Sequence, residues 1–238
     1  MNNWQSPSVY NNQTIEQQEE IQRSFILRVY AWMTLGLIVT TVAALWTIYT
    51  PGLMNTIVTT PLLFFGLLMG ELVLVIVLTA AVSRMIPAMA GLTFLGYAVL
   101  VGVTFSVLTL IYTSTSIALT FGITASTFGI MTLFGYTTHR DLTKLGNLLI
   151  MALIGLIIAM LANLFFKNPA IYWVTTFVGI LIFIGLVAYD TQKLKKMSLA
   201  VSQDGEVAAK ASILGALSLY LDFINLFLLL LRIFGRRR

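Results

Sequence analysis

The chain has no cysteine and a single histidine in 238 residues, which removes disulfides, thiol nucleophiles, thiolate metal sites and multi-histidine zinc or iron centres from consideration. Charge is also scarce, at 10% of residues against roughly a quarter in a soluble domain. The deficit is concentrated in long apolar runs. With 58% hydrophobic residues and a mean hydropathy of +0.93, so much apolar side chain cannot hide in one soluble core and needs lipid as its solvent. The net charge of +5 comes mostly from Lys and Arg beside those runs, where topology signals and anionic-lipid contacts sit, rather than from a patch for nucleic acid.

Met1 to Ser24 is rich in Asn, Gln and Glu and lacks the basic start and apolar stretch of a cleavable signal peptide, so the first membrane helix is expected to direct insertion itself. Seven runs then follow that can cross about 30 Å of hydrocarbon. They cover about Phe25 to Ile48, Pro61 to Val82, Pro87 to Ile111, Ser116 to Tyr136, Leu145 to Phe166, Ala170 to Tyr189 and Ala211 to Ile233. Pro, Gly, polar or basic residues close each one, and Pro61 suits a first helical turn. The expected fold is an all-α integral membrane bundle of seven transmembrane helices: a polar N-terminal tail over residues 1–24, then one membrane domain over 25–238. Thr191 to Lys210, with Lys193, Lys195, Lys196, Asp204 and Glu206, reads as a surface loop or lid.

Arg23, Arg28, Arg84, Arg140, Lys144, Lys193, Lys195, Lys196 and Lys210 fall on the amino-terminal side of the seven spans, against Lys167 in the other loops. That asymmetry predicts a cytoplasmic amino terminus. Arg232, Arg236, Arg237 and Arg238 then fall outside if every run crosses, so either the tail breaks the rule or one late segment does not cross.

Two acids stand where a bilayer normally excludes charge. Asp222 lies mid-run, where an Asp costs roughly 2.5 to 3.5 kcal/mol, so it must face protein or water, stay protonated, or have a partner. Ser218 and Asn225 share its helical face. The stripe reads as an ion or proton site, or as a structural acid bonded to helix backbone or Asn. Asp190 ends the sixth run, where a carboxylate meets the unfavourable pole of the helix dipole. Either the helix continues and Lys193 serves as an i,i+3 partner, or Asp190 meets Asp222 across a helix interface. In the second case two close carboxylates cannot both ionise cheaply, and one shares or retains a proton. Such a pair is a pH switch and a hard-cation site. Glu71 repeats the argument in the second run, with function and structural hydrogen bonding equally open. Arg84 and Arg232 either snorkel to the headgroups or act as counter-ions, although Arg232 is too far along its own helix to pair directly with Asp222. His139, Arg140 and Asp141 read as a solvated loop, and Gly66 with Gly70 as a weak packing signal. No nucleophile, base and orienting acid share a spacing that reads as an enzyme.

The segments Ala188-Tyr189-Asp190-Thr191-Gln192 and Ser218-Leu219-Tyr220-Leu221-Asp222-Phe223-Ile224-Asn225-Leu226-Phe227, followed by Leu230-Leu231-Arg232-Ile233-Phe234-Gly235, resemble the transmembrane Bax inhibitor motif family. The likeness is to its bacterial YbhL-like branch, and seven runs with the Gly135 to Asp141 loop extend it over nearly all the chain after residue 24. The resemblance implies a last helix surrounded by the other six and a pH-sensitive calcium leak controlled by aspartates here numbered Asp190 and Asp222. It also implies a basic latch, for which Arg84 is the nearest match, an acid at Glu71 and a basic residue at Arg232. Calcium is then the bound or transported species on the two carboxylates, with no resident cofactor, in a bacterial inner membrane. Some bacterial members are linked to regulation of a membrane-bound AAA protease, which the N-terminal tail could serve. That is the rival function.

Overall fold

The computed structural model describes residues 15–201 and 205–238, and the side chains from residue 18 onward within the first of these. The described residues form α1 (Ile15–Tyr49), α2 (Leu53–Thr59), α3 (Pro61–Ala81), a 3-10 turn (Val82–Arg84), α4 (Pro87–Ser106), α5 (Leu108–Ile111), α6 (Ser114–Thr137), α7 (Thr143–Phe166), α8 (Pro169–Val201) and α9 (Gly205–Phe234). Seven of these, α1, α3, α4, α6, α7, α8 and α9, are long and apolar enough to cross a membrane. Proline opens α3, α4 and α8, where its missing N–H has no helical acceptor to lose. Thr113 caps α6 by accepting from the Ser116 backbone N–H.

Two expectations change. The first helix does not wait for Phe25: α1 begins at Ile15, so residues 15–24 of the expected polar tail are helical, while residues 1–14 lie outside the described residues. Nor does the sixth span stop at Tyr189. α8 continues to Val201, so Thr191 to Val201 is helix rather than a loop or lid, and Asp204 lies outside the described residues. The reason is amphipathicity: Thr191, Gln192, Leu194 and Ser198 are buried on one face while Lys193 and Lys196 point outward. At 33 residues α8 is roughly 50 Å long, well beyond the hydrocarbon thickness.

α9 is the axis of the bundle. Of its most apolar stretch 72% is buried, against 6% in α3 and in α7, whose apolar side chains face lipid. α1, α4, α6 and α8 pack directly on α9, whereas α7 leans on α8 and α3 on α4. Close approach requires glycine at two crossings. A Cβ on Gly102 of α4 would strike the Thr40 carbonyl of α1, and one on Gly135 of α6 would strike the Ala188 backbone of α8.

The carboxyl tail is fastened. Thr113 N–H donates to the Arg236 carbonyl (3.0 Å), and Arg238 N–H donates to that of Ile111 (3.0 Å). This strap lies at the end of the bundle where α1 finishes, because α1, α4 and α9 run parallel: Gly36 and Thr40 meet Phe94, Ala98 and Tyr220 in register. The tail arginines therefore break the charge asymmetry.

Gly102→Val and Gly135→Val should each destabilise the protein by about 1–3 kcal/mol through overpacking. Gly122→Ala, whose added methyl meets nothing within 4 Å, should be neutral in detergent melting followed by size exclusion. Equal melting of all three variants would contradict this packing.

Candidate functional site

Asp190 and Asp222 come together. Both line one cavity of about 420 Å³ enclosed by α7, α8 and α9, along with Lys193, Ser218, Asn225 and Arg232. Ser218 Oγ donates to Asp190 Oδ2 at 2.6 Å, bridging α9 to α8. Asp222 follows Ser218 by one turn, about 6 Å deeper along α9. It is only 6% exposed, and its Oδ2 is buried with no hydrogen-bond partner among the described residues. With Asp190 bonded to Ser218 and Asp222 four residues further along the same face, the two carboxyls lie about one helical turn apart along α9.

The α9 contributions recur at helical spacing, so Ser218, Asp222, Asn225 and Arg232 occupy one face. Asn225 spends its amide N–H on the Leu221 carbonyl (2.8 Å), leaving its side-chain oxygen free of that bond. Between Asn225 and Arg232 the wall is formed by Leu228, Leu229 and, from α7, Leu156. Lys193, Asp190, Ser218, Asp222 and Asn225 thus form a polar stripe on an otherwise largely apolar wall. Arg232 stacks over the Tyr172 ring, 5.2 Å from its centroid, rather than pairing with an acid. Lys193 is exposed at the edge of the cavity and forms no ion pair with Asp190 within 4.0 Å.

The remaining candidates lie elsewhere. Glu71 is half-buried on α3 and accepts from Thr104 Oγ1 of α4 (2.6 Å), on a helix that does not line the cavity. Arg84 is exposed in the 3-10 turn after α3 and forms no ion pair among the described residues. The structure therefore does not bring Arg84 or Glu71 to the aspartates. Nor do the described residues hold any cluster of three His, Cys, Asp or Glu that could bind a metal. Two carboxylates fall short of the six to eight oxygens calcium takes, so an ion held here would keep much of its water.

Residues that sequence reasoning passed over clamp α8 beside Asp190. Gln192 accepts from Leu142 N–H (2.9 Å) and donates to the Arg140 carbonyl (2.8 Å), pinning the loop before α7. Tyr30 of α1 donates to Thr132 of α6 (3.0 Å) and lies 3.3 Å from the hydroxyl of Thr191. Thr191 and Gln192 carried the signal of their position directly after Asp190, and Tyr30 carried none. The α7 wall is uniformly apolar and carried no signal. In the loop, Asp141 takes Lys196 Nζ at 2.6 Å and accepts from the backbone N–H and hydroxyl of Thr143 at the start of α7. The Lys196 hydrogen bond, then those from the Thr143 hydroxyl and backbone, hold the Asp141 carboxyl down at about 2. Its contribution is thus present above the ordinary carboxylate value and lost only as pH falls through about 2, so a response between about pH 5 and 8 does not originate there.

Comparison with known proteins agrees with this architecture. The family model for inhibitor of apoptosis-promoting Bax1 matches residues 22–238. The inner membrane protein YbhL of Escherichia coli strain K12 is 46% identical over 217 residues, covering 91% of this chain and 93% of the relative. An uncharacterised protein of Rickettsia prowazekii is 45% identical over 222 residues, covering 92% of each. An uncharacterised membrane protein of Streptococcus pyogenes serotype M3 is 34% identical over 229 residues, covering 95% of this chain and 99% of its own.

Removing the Ser218 hydroxyl should cost about 1–3 kcal/mol by stranding the Asp190 carboxyl. In an Asp190→Asn background the same Ser218→Ala change should cost less, a coupling that a double-mutant melting cycle measures. Strict additivity would mean the bond carries no weight.

Proposed function

The chain belongs to the Bax inhibitor family, and on that premise we propose that it is a pH-sensitive calcium leak of the bacterial inner membrane, with its amino terminus cytoplasmic and Asp190 with Asp222 as the proton-sharing pair. The observation that carries the reading is the burial of Asp222 in the same cavity as Asp190, with one carboxyl oxygen that has no donor among the described residues. A carboxylate so placed must hold a proton or attract a cation, and an intramembrane acid is retained mainly for such work.

The cavity supports a passive leak rather than a resident metal site. It offers hard oxygens in a row, from Asp190 through Asp222 to Asn225, and then an apolar stretch lined by Leu228, Leu229 and Leu156. Water and a partly hydrated divalent ion can reach the acids from the Lys193 end, while the leucines between Asn225 and Arg232 offer an ion no ligand, so that passing them requires it to keep its water. Protonation changes the charge between α8 and α9 from two negatives towards one, which alters how closely Ser218 and Asp190 hold the helices. Calcium is the cargo, and protons are the ligand that sets its passage.

Purified protein in liposomes should pass calcium with a rate that changes by about tenfold between pH 6 and pH 8, the effect of roughly one unit of coupling to a single proton. Asp190→Asn and Asp222→Asn should each flatten that profile. A wild-type flux indistinguishable from empty liposomes, or one whose pH dependence survives both substitutions, would sink the proposal.

A further inference from the structure

On the side of α9 away from the aspartates, α1 and α6 both pack against the central helix yet barely touch one another. The gap holds three adjoining cavities. The first, about 730 Å³, lies where α1 begins and is bordered by Arg23, Tyr30, Phe128, Gly129 and Phe223. A middle one of about 180 Å³ shares Phe223 with the first, and shares Thr41, Ile48 and Phe121 with a third of about 590 Å³ that ends at Arg238. Together they make one crevice. From Arg23 to Ile48 α1 rises roughly 38 Å, enough to cross the hydrocarbon layer.

The crevice has an apolar floor and basic mouths. Phe121, Phe128, Phe223 and Phe227 pack edge to face along its base, with centroids 5.2 to 6.2 Å apart. Gly129 leaves it open, since a Cβ there would meet nothing within 4 Å. Arg23 at one mouth and Arg238 at the other are exposed, and neither forms an ion pair among the described residues, although Glu19 and Glu20 share the first turns of α1 with Arg23. An apolar channel of membrane length that opens sideways between two lipid-facing helices will not hold water, and it offers a guanidinium at headgroup level.

We propose that the crevice between α1 and α6 is a binding site for an anionic phospholipid, its acyl chain lying on the Phe121 to Phe227 floor and its phosphate on Arg23. The site is separate from the aspartate cavity but touches the same helix. Phe223 directly follows Asp222 on α9, and Tyr30 in the crevice reaches Thr191, beside Asp190. A seated acyl chain therefore braces the back of α9 and adds to the Tyr30–Thr132 hydrogen bond that joins α1 to α6 at one end of the crevice.

The test uses the full chain reconstituted in vesicles of equal phosphatidylglycerol and phosphatidylcholine, then released into mild detergent for native mass spectrometry. The wild type should retain a bound lipid with phosphatidylglycerol in excess. Arg23→Gln should lower that excess about fivefold, the order expected for removing one arginine's pull on an anionic headgroup, with the total retained unchanged. Gly129→Leu should abolish retention while the protein still elutes as a folded species. Equal retention in wild type and Gly129→Leu, retention without headgroup preference, or a lipid-free dimer whose interface is α1 and α6 would each overturn the proposal.

Discussion

Asp222 sits in the helix on which the rest of the bundle leans, and the low dielectric around it sets the terms for its neighbours. Moving α9 outward to hydrate the carboxyl would expose the largest buried side chains of the protein, among them Tyr220, Leu217, Leu219 and Leu226. Substituting an apolar residue would relieve the burial but remove the charge. What stands instead is a compromise in which α7 stays off α9, leaving a cavity where the acid, Ser218 and Asn225 face Asp190. Burial of an unpartnered carboxyl oxygen is tolerated because the helix carrying it is fixed on its other sides.

Three faces of α9 explain that fixation. Tyr220 turns towards α1 and α4, where it meets Thr40 at 2.6 Å and packs edge to face on Phe94 and Tyr97. Phe223 and Phe227 turn towards α6. Ser218, Asp222 and Asn225 turn towards α8 and α7. Glycine-mediated contacts lock α1 to α4 and α6 to α8, so freedom is left at two seams, between α7 and α9 and, away from the Tyr30–Thr132 hydrogen bond, between α1 and α6. One seam holds the acids, and the other is apolar with arginine at its mouths. A change of charge in the first acts on the same short stretch of α9 that floors the second.

Much of this was legible in residue order, for reasons that also mark where legibility stopped. Pro61, Pro87 and the polar or basic residues after each run placed the spans, because the length of hydrocarbon and the behaviour of proline leave little choice. Asp222 declared itself by position alone. Asp190 did not: its meeting with Ser218 depends on how α8 and α9 are offset, a tertiary fact. The segment after Tyr189 was misread because its lysines dominate the composition, while the buried Thr191, Gln192, Leu194 and Ser198 that make it a helix are individually unremarkable. Glu71 and Arg84 could be recognised as unusual, but nothing local says that α3 packs on α4 rather than on α9. The leucines and isoleucines of α7 that wall the cavity look like those that face lipid.

The central claim, that Asp190 and Asp222 share a proton inside the bundle, is met most directly by infrared difference spectroscopy of the protein in lipid across a pH titration. The account predicts a protonated-carboxyl C=O band at neutral pH that disappears in Asp222→Asn and shifts in Asp190→Asn. If no such band exists at neutral pH, or if it is unaffected by either substitution, the two acids are not a coupled pair.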